Sequence, residues 1–103
     1  RILMRLTSRQ RAFLRSRAHS LKPVVHIGAA GVTEATTLSL SEAFHTRELL
    51  KVRIQEGAPG TTREVAEALA AGVDDAQVVQ TIGRVAVLYR PFPEDPELRL
   101  PGA

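Results

Sequence analysis

Apolar positions follow two rhythms along the chain, a helical spacing in three segments and an alternation of two in the rest. Thr7-Ser8-Arg9-Gln10 has the Thr-x-x-Gln form of a capping box and predicts a first helix running to about His19. At 100° per residue, Phe13, Leu14, Ala18 and Leu21 share its apolar side. Arg11, Arg15 and His19 form a row at i, i+4 and i+8 on the other side, and Arg17 falls toward the apolar one. Pro23 forces Lys22 out of helical geometry, so Val24 to Ile27 reads as a short strand. Thr33 then caps a second helix with Leu40, Ala43 and Phe44 inward.

Leu50, Val52 and Ile54 alternate with Leu49, Lys51 and Arg53, as in a strand with one buried face and two cations on the other. Gln55 to Gly60 is a loop, and Thr61-Thr62-Arg63-Glu64 opens a third helix with Val65, Ala68 and Leu69 inward and Gly72 as its stop. Ala76 to Ile82 and Val85 to Arg90 flank Gly83-Arg84, a pair suited to a type II′ hairpin turn. The predicted order is αβαβαββ: an α/β fold, a two-layer sandwich on a four-stranded mixed sheet. Residues 1–91 form one domain, and the Pro-rich tail 92–103 either lies on it or is disordered. Met4 is the expected natural start, with Arg1 to Leu3 outside the fold.

Charge sharpens the picture because it is so unevenly placed. The net charge is only +3, yet the first 22 residues hold seven bases and no acid, while the remainder holds seven bases against eleven acids. Such clustering favours a polyanionic partner, since lysines and arginines displace counterions from phosphates and steer the encounter. The absence of cysteine excludes disulfides and thiolate metal sites and suits a cytoplasmic protein. His19, His26 and His45 match no zinc spacing, so no metal or cofactor is expected. No apolar run approaches the length of a membrane span, and the opening RILMRL is too short and charged for a signal-peptide core.

The candidate chemistry sits at Gly28-Ala29-Ala30-Gly31, between a strand and a helix and directly after the basic segment. Glycines there permit positive φ and close backbone approach, and the following helix start offers N–H groups, so the corner is a candidate anion site. A Gly-x-x-Gly loop of this kind clamps the sugar-phosphate backbone in KH-type RNA-binding domains. A mononucleotide site would need a P-loop or a Gly-x-Gly-x-x-Gly fingerprint, and neither is present. No Gly-x-Ser-x-Gly elbow or triad spacing exists either, and Asp74-Asp75 reads as a turn, so no enzyme and no small-molecule substrate is expected. His19 and His26 bracket the Lys22-Pro23 corner, where either could meet a phosphate. A competing reading stays open: a protein-protein adaptor whose basic helix face meets an acidic patch and whose glycine loop only turns the chain.

The stretch from Ala18 to Glu34, AHSLKPVVHIGAAGVTE, resembles the central signature of the CRM domain, named for chloroplast RNA splicing and ribosome maturation, and of its stand-alone bacterial YhbY-type members. The likeness continues through Glu48 to Ile54, Ile82-Gly83 and Val87 to Arg90, covering nearly all of residues 6–91. It implies a fold like the C-terminal domain of translation initiation factor 3, RNA binding, and association with ribosomal RNA in precursors of the large ribosomal subunit. Carried over by position, the implied RNA site is Gly28, Ala29, Ala30 and Gly31 with Arg15, Lys22, Lys51 and Arg53. The basic first helix adds Arg11, Arg17 and His19. Where family members often carry polar or basic residues between the glycines, this chain has two alanines, which offer only backbone N–H groups.

Overall fold

A computed structural model describes residues 5–102, and the expected start at Met4 lies outside them. The elements are α1 (Ser8–Ala18), β1 (Pro23–Ile27), α2 (Glu34–Ala43), β2 (Leu49–Ile54), α3 (Thr62–Ala71), β3 (Gln77–Ile82) and β4 (Val85–Tyr89). All three helices begin with a reciprocal capping box, Thr7 with Gln10, Thr33 with Thr36 and Thr61 with Glu64. Each box satisfies two backbone N–H groups that the helix itself leaves unpaired. The order αβαβαββ and the mixed four-stranded sheet are as the pattern predicts.

The strands lie in the order β1-β2-β4-β3, with β1 parallel to β2 and the other pairs antiparallel. A parallel pair needs a long crossover, which α2 supplies, whereas β3 and β4 join through the tight Gly83-Arg84 turn. Gly83 has φ +57° and Arg84 stays out of the left-handed region, as a type II′ turn requires.

One face of the sheet carries the larger core. Val25 and Ile27 of β1, with Leu50, Val52 and Ile54 of β2, meet Leu40 and Phe44 from α2 and Val65 and Leu69 from α3. The apolar stripe of α3 is flanked by Ala66 and Ala70, whereas Ala68, expected inside, is exposed. At Gly72 a Cβ would stand 2.8 Å from the Thr37 methyl group, so the end of α3 needs glycine there to pass α2.

The two-layer expectation describes that side; the other face adds a partial third layer. Leu14 and Ala18 of α1 pack there on Leu49, Val79, Val87 and Tyr89, joined by Leu98 and Leu100 from the tail. Alternation sends Val78 to the first core and Val79 to the second, and a bulge between Val78 and Gln80 sets both Val79 and Gln80 opposite Val87. Leu21 is 36% exposed, not buried with the α1 stripe, because the helix ends at Ala18 and the chain leaves its path first. The tail lies on the domain. Buried Glu48 accepts hydrogen bonds from the backbone N–H groups of Phe92, Glu97 and Leu98 at 2.7, 2.9 and 2.7 Å, and buried Gln10 donates to the Pro101 carbonyl at 3.2 Å.

Candidate nucleic-acid interface

The second face of the sheet is apolar only where α1 and the tail cover it. Alternation on β2 places Leu49 under that cover, Lys51 at its margin and Arg53 in solvent. On β1 the same alternation sends Val24 and His26 outward. Parallel register sets His26 beside Arg53, and antiparallel register extends that row through Val85 to Ile82. One end of the sheet therefore presents a bare, cationic surface.

The glycine corner closes this surface at the end of β1. Gly31 N–H donates to the Gly28 carbonyl at 3.0 Å, forming a tight turn, and Gly31 is buried with φ +74°. Ala29 and Ala30 stand exposed at the tip, and among the described residues nothing takes up their N–H groups. The 55–60 loop backs the corner along its length. A Cβ on Gly28 would sit 3.5 Å from Gln55 Oε1, one on Gly57 would sit 3.7 Å from the Ala29 methyl group, and one on Gly31 would sit 3.4 Å from Pro59. Gln55 N–H also donates to the Ile27 carbonyl at 2.9 Å.

The N-terminus of α2 contributes less to an anion site than its position suggests. Its capping box occupies two of its N–H groups, and Glu34 places a carboxylate in the first turn. The donors available at the corner are thus the turn amides of Ala29 and Ala30, beside a cleft of ≈ 500 Å³. His26, Gly28, Arg53 and Arg84 line this cleft, together with the Glu56 carboxylate. Arg84 was not singled out from the sequence. Its Nε donates to the Ile54 carbonyl at 3.2 Å and its guanidinium NH2 to the Gln55 carbonyl at 2.8 Å, tying the hairpin turn to the backing loop. His26 belongs to the site by the period of β1, whereas Arg84 reaches it only through strand pairing.

The first-helix cations divide into three groups. Arg15 and His19 face the bare sheet together with Lys51, whose Nζ lies 3.4 Å from the His19 carbonyl. Arg11, from the same helical row, belongs to the fold: its guanidinium donates to the carbonyls of Val78 and Val79 at 3.1 and 3.0 Å, at the β3 bulge. Arg17 turns away toward the tail, with its guanidinium carbon 5.1 Å from the centre of the Phe13 ring and Arg47 and Leu98 nearby. Lys22 is exposed at the corner leading into β1. Arg15, His19, Lys51, Arg53 and the glycine corner thus share one face; Arg17 stands apart from it, and Arg11 is held by the sheet. Among the described residues there is no group of three or more His, Cys, Asp or Glu placed to hold a metal, and no helix long and apolar enough to cross a membrane.

Relatives match this chain over most of its length. Probable RNA-binding protein YqeI of Bacillus subtilis is 41% identical over 96 residues, which cover 93% of this chain and 99% of YqeI. A Haemophilus influenzae protein named RNA-binding protein is 38% identical over 96 residues, covering 93% of this chain and 95% of its own. The solution structure of the hypothetical protein SAV1595 from Staphylococcus aureus superposes with a TM-score of 0.79 at 34% identity, covering 94% of this chain and all of that one. The family model of the CRS1 / YhbY (CRM) domain matches residues 6–90, and with the fold and these relatives in agreement, the chain belongs to that family.

Proposed function

We propose that this chain is a non-catalytic RNA-binding module that holds an RNA backbone across the glycine corner and the bare cationic end of its sheet. The RNA is ribosomal, within precursors of the large subunit, and the setting is the cytoplasm. The observation that carries the proposal is the shared face: unpartnered turn amides at Ala29 and Ala30, the His26–Arg53 pair, and Lys51, His19 and Arg15 all open to the same side. Amide donors at a turn and the cations Arg53, Lys51 and Arg15 suit phosphate oxygens, and their spread from β2 to α1 spans more than one phosphate. The names borne by the relatives point the same way.

Charge reversal at two exposed positions, Arg15→Glu with Arg53→Glu, tests the face without touching the core. Gel-shift titration against a ribosomal RNA fragment is expected to show binding lost with the melting temperature unchanged. Neutral replacement of either residue should flatten the plot of log affinity against log salt by roughly 0.7 per lost contact on a single strand. Wild-type affinity in the charge-reversed protein refutes the face. Crosslinking in cells followed by sequencing of the attached RNA tests the ribosomal assignment, which fails if large-subunit sequences are not enriched.

A further inference from the structure

A second groove, of ≈ 620 Å³, runs between the C-terminal half of α1 and the bare end of the sheet. Its walls are of two kinds. Ala12, Ala18, Val87 and Ile82 give it an aliphatic floor, while Arg15, His19 and Lys51 stand around it, with the Gln80 amide at one edge. Ile82 is 59% exposed, an uncovered large apolar side chain on a face otherwise built for charge. Among the described residues no carboxylate lines this groove, in contrast to the cleft beside the glycine corner, where Glu56 stands.

A phosphate alone does not account for these walls, because an anion seeks donors and water and gains nothing from an aliphatic floor. Nor does an ordinary apolar peptide, since burying it would bring the cationic rim against groups with no charge to meet it. The combination suits a ligand that is flat and largely apolar in one part, hydrogen-bonding at its edge, and anionic nearby. We propose that the groove is a base subsite, taking one unpaired nucleobase of the bound RNA against Ile82 and Val87. Its edge meets the Gln80 amide, which supplies both a donor and an acceptor, and its phosphate lies on Arg15. The subsite rests on the RNA-binding function proposed above and adds the class of RNA: a strand with at least one unpaired nucleotide. Lys51 borders the groove and Arg53 the glycine-corner cleft, two positions apart on β2 and roughly 7 Å at the usual rise, and the two stations take different nucleotides.

The test uses the full chain and two RNA probes, a blunt duplex and the same duplex interrupted by a run of unpaired uridines. Ala12 is exposed on α1, and Ala12→Leu fills the groove while keeping a strong helix former. Wild type is expected to prefer the interrupted probe. Ala12→Leu should bind that probe roughly tenfold more weakly, the scale of one lost base contact, with affinity for the duplex unchanged. Should Ala12→Leu lower the melting temperature, Ser16→Leu fills the same groove one turn later. Gln80→Leu should change the order of preference among probes carrying unpaired A, C, G or U. Equal binding of both probes by wild type, or equal effects of the filling variants on both, overturns the subsite and leaves the RNA-binding function standing. Failure of wild type to bind either probe overturns that function itself.

Discussion

Glu48 offers the sharpest test of how the tail is held, and with it the seating of α1. Its Oε1 accepts from the N–H groups of Glu97 and Leu98, and its Oε2 from that of Phe92, all within 2.9 Å, in a residue only 3% exposed. Hydrogen bonds to a charged group contribute about 1.5–3 kcal/mol each, but the tail's N–H groups return to water when it lifts, which favours the low end. Three bonds near 1.5 kcal/mol set a ceiling of about 4–5 kcal/mol, so Glu48→Ala should cost roughly 2–4 kcal/mol. Glu48→Gln can keep its carbonyl on Glu97 and Leu98 but turns an NH2 group toward the Phe92 N–H, and should cost about 1–2 kcal/mol. Urea titration reads these losses as shifts in midpoint, and amide exchange at residues 92, 97 and 98 locates them. The decisive comparison repeats Glu48→Ala in a chain ending at residue 91. With the tail gone the substitution should cost little, the non-additivity expected of groups in direct contact. Strictly additive costs, or unaltered protection of those three amides in Glu48→Ala, would refute the strap.

Other outcomes follow from single contacts. Gly31→Ala places a side chain at φ +74° and 3.4 Å from Pro59, and should lower stability by about 1–2 kcal/mol in denaturant melts. Gly28→Ala meets only an ordinary contact at 3.5 Å and should stay within about 0.5 kcal/mol, so a loss of RNA affinity in that variant reports on the corner itself. Arg11→Ala frees the two bulge carbonyls it now bonds and should destabilise by roughly 1–3 kcal/mol, whereas Arg15→Ala should leave the midpoint unchanged and weaken RNA binding. Burial, with a smaller contribution from the Glu48 charge, raises the Tyr89 hydroxyl above its usual pKa of 10.0. The folded chain therefore keeps this proton after the unfolded chain has lost it. Stability should fall as pH rises above 10 toward the folded value, and Tyr89→Phe should remove that part of the alkaline loss in thermal melts.

Much of the architecture was written locally. The Thr-led capping boxes at Thr7 and Thr61, the Thr33 cap and the alternation in β2 depend on residues within a few positions of one another, and each element formed where its pattern placed it. The fate of individual cations was not local. Arg11, Arg15 and His19 are equivalent by helical spacing, and only a bulge more than sixty residues away decides that Arg11 is taken up by carbonyls while the other two face open sheet. Arg53 was legible as an outward position, but its adjacency to His26 comes from parallel pairing, and Arg84 joins them through the β2–β4 register. Glu48 read as one acid among eleven until the tail closed over it. The uncovered half of the second sheet face likewise had no local signature, because it depends on how far α1 and the tail extend.

The way the 55–60 loop stands behind the glycine corner makes Ala29 and Ala30 an exchangeable cassette. Their turn is shaped from the rear by Gln55, Gly57 and Pro59 and from its own end by Gly31, so the two tip residues contribute little to its geometry. Lysine, arginine or asparagine could be grafted there as interchangeable reading heads, provided the replacement for Ala29 keeps clear of Gly57. The scaffold would then accept a new preference for its ligand without a new design for its core.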